Sequence, residues 1–166
     1  MRFAALILAL LVATPAMAAV PTQLPTGVEP VAYDLTLTPD ADKLTFRGRV
    51  AITVQVDKTI SRIALNSVDL KLLGASIDGK EAKAIAYPEK QRASFSIGAP
   101  LSRGRHVLRI EYTGKINDGP TGLFKVDYHG GRMLATQFEP ADARRMLPSF
   151  DEPSKKAVFT VSAIVP

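Results

Sequence analysis

Strict alternation of apolar and polar residues leaves few folds open to this chain. The pattern runs through residues 44–57 and, more briefly, through residues 31–38. Its apolar positions are Tyr33, Leu35 and Leu37 in the shorter segment and Val50, Ile52, Val54 and Val56 in the longer one. A period of two indicates half-buried β-strands. Because a short turn rich in Pro and Asp separates the two segments, the sequence predicts an antiparallel hairpin.

Other short segments have the same character. Further strands are predicted over residues 62–65, 71–77, 83–87, 92–97, 105–112, 122–128, 132–138 and 156–165. About ten short strands with turns every 8 to 12 residues are typical of a β-sandwich, so we expect an all-β, antiparallel sandwich. Residues 140–147 are the exception, because Pro140 at a first helical position followed by Asp142 favours one or two helical turns.

Composition excludes several kinds of functional site. Cysteine is absent, which rules out disulfides, Cys-based metal sites and Cys nucleophiles. The net charge of +5 is spread over single Lys and Arg residues, so nucleic-acid binding is not indicated. Neither His106 nor His129 has a partner at the spacing of a zinc-binding helix, and Ser-nucleophile and phosphate-loop motifs are missing. The sequence therefore predicts no catalytic residue, no metal ligand and no cofactor in this chain.

Residues 1–18 have the three parts of a secretory signal peptide. Arg2 is the positive region, residues 3–12 are the apolar region, and Ala16-Met17-Ala18 is a small-x-small cleavage site. The apolar run is shorter than the roughly 20 residues of a membrane-spanning helix, so we expect no membrane span after cleavage. The expected arrangement is a signal peptide over residues 1–18 and one domain over residues 19–166, exported to the periplasm or secreted.

The segment Thr136–Pro153 concentrates charged, aromatic and proline residues between two predicted strands. Its apolar side chains give enough surface to anchor it against a core. Partly buried charges usually pair, so we expect the segment to fold back on itself around an internal ion-pair network. The expected members of this network are Asp142, Arg144, Arg145, Asp151 and Glu152.

Glu139 is the carboxylate of this segment with a candidate binding role. It follows a predicted strand and precedes Pro140, so its carboxylate is held in place but need not be paired with a neighbouring cation. A charge-assisted hydrogen bond from such a group to a cationic ligand is worth roughly 1.5–3 kcal/mol. The alternative, which the spacing alone favours, is that Glu139 pairs with Arg144 or Arg145.

In the segment Thr136–Pro153 and in several motifs upstream of it, the chain resembles the N-terminal domain of the aminopeptidase N family of zinc metallopeptidases. The resemblance extends over about residues 25–166, nearly the whole chain after the predicted signal peptide. It is carried by TQFEP at residues 136–140, DARR at 142–145, PSFDEP at 148–153, PVAYDL at 30–35, FRG at 46–48, YTG at 112–114 and GLF at 122–124.

The resemblance implies a saddle-shaped β-sandwich that packs on a thermolysin-like catalytic domain. In the family, the glutamate that matches Glu139 helps to bind the free α-amino group of the peptide substrate, and Gln137 is expected to contribute nearby. Zinc is expected in the catalytic domain. The implied partners of this chain are therefore that catalytic domain and peptides with a free N-terminus.

The chain also departs from the family pattern. It contains neither the Gly-x-Met-Glu-Asn motif nor the His-Glu-x-x-His zinc helix, and Ser149 stands where the family often has Cys. We therefore expect the N-terminal domain or a fragment of an exported zinc aminopeptidase, which is not catalytic alone and exposes an apolar face that favours self-association. The alternatives are a stand-alone periplasmic β-sandwich module for binding or adhesion, and a decayed remnant.

Overall fold

The computed structural model describes residues 23–165, so the predicted signal peptide over residues 1–18 lies outside the described residues. The described part of the chain contains eleven strands and two 3₁₀ turns, Pro88–Lys90 and Ala143–Arg145. The strands are β1 (Val28–Asp40), β2 (Thr45–Val56), β3 (Ile63–Asn66), β4 (Lys71–Ile77), β5 (Lys80–Glu81), β6 (Lys83–Tyr87), β7 (Arg92–Ser96), β8 (Gly104–Lys115), β9 (Gly122–Tyr128), β10 (Gly131–Gln137) and β11 (Val158–Ala163). No helix within residues 23–165 has the length and apolar character needed to cross a membrane.

The largest sheet has six strands in the order β11-β1-β2-β8-β4-β5. The predicted hairpin of β1 and β2 supplies its second and third strands, with antiparallel register from Val28 opposite Val56 to Asp40 opposite Thr45. Strand β8 continues the antiparallel pairing on the far side of β2. The pair β1 and β11 is parallel, which brings the end of the described chain beside its first strand.

Two smaller sheets complete the fold. One has the order β3-β7-β6 and the other joins β10 to β9. Alternation places one side of the long strands β1, β2 and β8 in a single continuous core, which also contains Phe46 and Phe95 with 2% and 0% exposure. The structure therefore confirms an all-β sandwich built mainly from antiparallel strands.

Turn chemistry explains how the short strands connect. Asp78 and Gly79, between β4 and β5, have φ angles of 52° and 80°, and two successive positive φ angles are characteristic of a type I′ hairpin turn. Glycine is favoured here because it has no Cβ to oppose a positive φ. This turn joins β4 to β5 in an antiparallel hairpin whose second strand, β5, has only two residues.

The short helix predicted within residues 140–147 is a single 3₁₀ turn over Ala143–Arg145. The Arg144 carbonyl accepts a hydrogen bond from the Val68 N–H at 2.9 Å, so this carbonyl serves the neighbouring chain segment rather than a longer helix. The proline at 148 then ends any helical continuation.

Candidate functional site

The segment Thr136–Pro153 leaves the end of β10 and returns across one end of the sandwich. Its 3₁₀ turn is bounded by hydrogen bonds from the Arg145 N–H to the Asp142 carbonyl at 3.1 Å and from the Met146 N–H to the Ala143 carbonyl at 2.9 Å. Beyond the turn the segment is anchored by apolar burial. The anchoring side chains are Met146, Leu147 and Phe150, with 5%, 3% and 2% exposure.

Arg144 and Asp151 form the central ion pair of the segment. Arg144 Nε lies 2.6 Å from Asp151 Oδ2, and both side chains are largely buried, with 15% and 9% exposure. A second guanidinium nitrogen donates to the Asp151 carbonyl at 3.1 Å. The carboxylate of Asp151 thus joins two points of the loop that are seven residues apart.

Arg145 is paired separately. Its Nε lies 2.8 Å from Asp142 Oδ1 and its Nη1 lies 3.3 Å from Asp69 Oδ2. Glu152, the fifth expected member of the network, instead accepts a hydrogen bond from the Leu24 N–H at 2.6 Å. The two arginines therefore lie in separate pairs, while Glu152 ties the segment to the start of the described chain.

Two distant residues hold the return of the segment in place. Asn66 and Ser149 exchange backbone hydrogen bonds of 2.7 Å and 3.0 Å, and the Asn66 side chain donates to the Phe150 carbonyl at 2.7 Å. The Phe150 N–H donates to the hydroxyl of Tyr33 at 3.1 Å. Burial raises the pKa of Tyr33, against the smaller opposing effect of this hydrogen bond, so the hydroxyl stays neutral at physiological pH.

Sequence reasoning did not identify this support. Asn66 and Tyr33 are separated from Phe150 by 84 and 117 positions, and no local pattern reports such contacts. The one signal in the sequence is the placement of an amide at Asn66, on a strand whose other residues are apolar, since buried amides are retained where they find partners.

Glu139 stands apart from all of these pairs. It is exposed, and its carboxylate has no hydrogen bond or ion pair with any residue in the range 23–165. The reason is that Arg144 and Arg145, the cations nearest in sequence, are held by Asp151 and by Asp142 with Asp69. The alternative in which Glu139 pairs with either arginine is not what the structure contains.

Glu139 borders a groove of about 570 Å³ between the segment and the open edge of the large sheet. The groove is walled mainly by apolar side chains. These are Tyr33, Leu35, Phe138, Met146, Leu147, Phe159 and Val161. Gln137 lies two residues away at the exposed end of β10, opposite Gly122, and does not line the groove.

The described residues offer no place for a metal ion. Within residues 23–165 no group of three or more His, Cys, Asp or Glu side chains is arranged to hold one. His106 is occupied by contacts with Asp78, at 2.6 Å, and with the Ser102 carbonyl, at 2.8 Å. The zinc that the family resemblance implies is expected in the catalytic domain and not among these residues.

The family model and the individual relatives that the chain matches agree with one another. Residues 29–166 match the family described as the Peptidase M1 N-terminal domain. The chain is 41% identical over 147 residues to Aminopeptidase 2 of Candida albicans, with 85% of this chain and 16% of the relative covered. It is 39% identical over 150 residues to Aminopeptidase N of Acetobacter pasteurianus, with 87% and 42% covered. It is 38% identical over 157 residues to Aminopeptidase M1 of Arabidopsis thaliana, with 87% and 18% covered.

The chain thus spans less than half of the length of each of these relatives. The family match, in contrast, includes every strand from β2 onward and nearly all of β1. The chain belongs to the Peptidase M1 N-terminal domain family.

Proposed function

We propose that this chain acts as the substrate-recognition domain of a zinc aminopeptidase, in which the Glu139 carboxylate binds the free α-ammonium of the peptide. The observation that carries the proposal is the unpaired state of Glu139 beside a groove, although two arginines lie within six residues of it. A structural carboxylate would be expected to take one of those arginines. Glu139 is free to accept an external cation.

The rigid surroundings of Glu139 favour such a role. The segment that carries it is fixed by the Arg144–Asp151 pair and by burial of Phe150. A carboxylate held in place binds an ammonium with less loss of side-chain freedom than a mobile one. A fixed carboxylate at one end of a cleft favours peptides with a free N-terminus over blocked ones, which is the selectivity of an aminopeptidase. We assign Gln137 a supporting contact to the same end of the peptide.

The proposal assigns hydrolysis to a different polypeptide region. The partner is a catalytic zinc domain, which would hold the metal and contact the peptide bond, and the chain alone is expected to be inactive. The names of the relatives support this partner, because all three are aminopeptidases much longer than the matched region.

Export is part of the proposal as well. It is supported by the pattern of residues 1–18, with one cation, an apolar run and an Ala-Met-Ala cleavage site. Processing can be checked by expressing the chain in a bacterium and determining the N-terminal residue of the product. A product that begins at Ala19 in the periplasm supports export, and an intact cytoplasmic Met1 product contradicts it.

The binding role can be tested in a chimera that carries residues 29–166 in place of the matched region of Candida albicans Aminopeptidase 2. Replacing Glu139 by Ala should raise KM for a free alanyl substrate by about 10- to 150-fold, the equivalent of roughly 1.5–3 kcal/mol. The inhibition constant of an N-acetylated peptide should stay nearly unchanged. Equal losses for free and blocked peptides would contradict the assignment.

A matched control is available on the opposite edge of the large sheet. Glu81 is an exposed carboxylate on β5, and β5 lies at the far end of the sheet order from β11. Replacing Glu81 by Ala removes the same charge from the domain without touching the groove. This variant should leave KM for the free substrate unchanged, which separates local binding from a general charge effect.

A further inference from the structure

The chain contains two Asp-Gly pairs, Asp78-Gly79 and Asp118-Gly119. The aspartate of such a pair can isomerise without an enzyme, because the backbone nitrogen of the following residue can attack the carboxyl carbon of the aspartate side chain. Glycine favours this attack, since it has no Cβ to shield its nitrogen and its backbone is the least restricted. Both pairs lie in surface bends, so their local contacts decide which aspartate reacts.

Asp78 is held at both of its carboxylate oxygens. Oδ1 accepts a hydrogen bond from the Val107 N–H at 2.8 Å, and Oδ2 lies 2.6 Å from Nδ1 of His106. The Asp78 N–H also donates to the Val107 carbonyl at 3.0 Å, so the main chain is tied to the same residue of β8. A charge-assisted hydrogen bond that must break before the carboxyl group can turn toward Gly79 slows the attack by about 10- to 150-fold.

The same contacts keep the carboxyl group of Asp78 in its less reactive form. Desolvation raises the pKa of Asp78, but the hydrogen bonds from His106 and Val107 outweigh it and hold the pKa below its usual value. The negative charge of an ionised carboxylate makes its carbon a poorer target for a nitrogen nucleophile. Because the Asp78 side chain is still 44% exposed, hydrogen bonding rather than burial protects it.

Asp118 lies in the exposed bend between β8 and β9 and lacks these restraints. Its side chain is 85% exposed, and its one ion pair within residues 23–165 joins Oδ1 to Nζ of Lys125 at 3.5 Å. Lys125 lies closer to Asp127 than to Asp118. The Gly119 N–H donates no hydrogen bond to any described residue, and the space where a side chain would stand on Gly119 is empty to 4 Å. Both reacting groups are therefore accessible to each other.

We propose that Asp118 is a site of spontaneous isomerisation to isoaspartate in the folded chain, and that Asp78 is protected from the same reaction. The Gly119 nitrogen bonds to Cγ of Asp118, and the amide proton leaves with the carboxyl hydroxyl group as water. Water then opens the resulting five-membered succinimide. Opening at the α-carbonyl leaves the main chain running through the side-chain carbon, which is isoaspartate, and opening at the other carbonyl restores aspartate. One water leaves and one enters, so the mass is unchanged.

The bend can accept the additional main-chain carbon without loss of the fold. Asn117 closes the bend, because its N–H donates to the Leu123 carbonyl at 2.9 Å and its Nδ2 donates to the Thr121 carbonyl at 2.6 Å. Residues 118–121 are all exposed. The lengthened chain can therefore extend into solvent while β8 and β9 keep their positions, and isomerisation requires no unfolding.

Tryptic peptide mapping tests both parts of the proposal in one sample. Cleavage after Lys and Arg gives residues 72–80, with Asp78 as the only aspartate, and residues 116–125, with Asp118 as the only aspartate. After several weeks at neutral pH, the second peptide should contain a species of equal mass that resists an Asp-specific protease. Its initial rate of formation should exceed the rate at Asp78 by about 10-fold or more. Deamidation of Asn117 changes the mass and is thereby distinguished.

Two variants and one denatured sample identify the cause. His106→Gln removes the bond to Oδ2 and should raise the rate at Asp78, with Asp118 unaffected. Gly119→Ala fits the open space and should slow the reaction at Asp118, because a methyl group shields the nitrogen. In urea, where the native contacts are lost, the rates at Asp78 and Asp118 should become similar.

Equal rates at Asp78 and Asp118 in the folded chain, or no isoaspartate at Asp118, would overturn the proposal. A difference that persists in urea would attribute the selectivity to the neighbouring sequence and overturn the structural explanation. In the chimera, loss of the reaction at Asp118 would show that the rest of the enzyme restrains the bend, and would overturn the assignment for the longer protein. None of these outcomes depends on the proposed binding role of Glu139.

Discussion

Removing the hydroxyl group from either of two buried tyrosines should have different effects on the free energy of unfolding. Tyr33 on β1 and Tyr112 on β8 are 3% and 0% exposed. The Tyr33 hydroxyl accepts the Phe150 N–H at 3.1 Å, whereas the Tyr112 hydroxyl has no hydrogen-bond partner within residues 23–165. Changing each to Phe keeps the ring and removes a single oxygen atom, so the two variants isolate the value of the hydrogen bond.

The expected magnitudes follow from the state of the groups left behind. Tyr33→Phe leaves the buried N–H of Phe150 without a partner, at a cost of about 1–3 kcal/mol. Tyr112→Phe removes a hydroxyl that is already desolvated and unpaired, so stability should stay constant or rise by up to about 1–3 kcal/mol. Tyr112 also packs edge-on against Phe46 with centroids 6.3 Å apart, a contact that Phe retains.

Urea unfolding followed by circular dichroism measures both variants on one scale. We expect Y33F to lower the free energy of unfolding and Y112F to maintain or raise it, with unchanged denaturant slopes. A loss in Y112F as large as the loss in Y33F would refute the reasoning. It would mean that the Tyr112 hydroxyl has a stabilising hydrogen-bond partner in the folded chain.

Two further outcomes concern charged pairs. Burial lowers the pKa of His106, but its contacts with Asp78 and the Ser102 carbonyl outweigh burial and raise the pKa above its usual value of about 6.5. The raised pKa means that His106 stabilises the fold fully below about pH 6.5, and that this stabilisation is lost as the pH rises through the pKa of His106 in the folded state. Urea unfolding should therefore be easier at alkaline than at mildly acidic pH. His106→Gln should flatten this dependence. Arg144→Met leaves the buried Asp151 carboxylate without its partner and should cost about 3–5 kcal/mol by the same assay, whereas no change would show that solvent reaches the carboxylate.

Much of the fold could be read from the sequence because alternation reports burial directly. The predicted strands over residues 71–77, 83–87 and 122–128 have the same bounds as β4, β6 and β9. Turn residues such as Asp78 and Gly79 fix where strands end, since few other residues accept their backbone angles. The parallel pairing of β1 with β11 was not predicted, because a period of two says which face is buried and nothing about the neighbouring strand.

Only part of the candidate site could be predicted from the sequence. The sequence identifies the segment Thr136–Pro153, but spacing alone favours a pairing of Glu139 with Arg144 or Arg145. The structure differs because Arg144 turns toward Asp151, which lies near it only after the segment has folded back. That return is fixed by Tyr33 and Asn66, two residues distant in sequence, so local charge spacing could not identify the partners.

The central claim is that the Glu139 carboxylate recognises a substrate ammonium, and a double-mutant cycle between protein and ligand tests it most directly. In the chimera, binding of a peptide ligand with a free α-amino group and of its desamino analogue is measured for the parent and for Glu139→Ala. The account predicts a coupling free energy of about 1.5–3 kcal/mol between the carboxylate and the ammonium. A coupling indistinguishable from zero would contradict it.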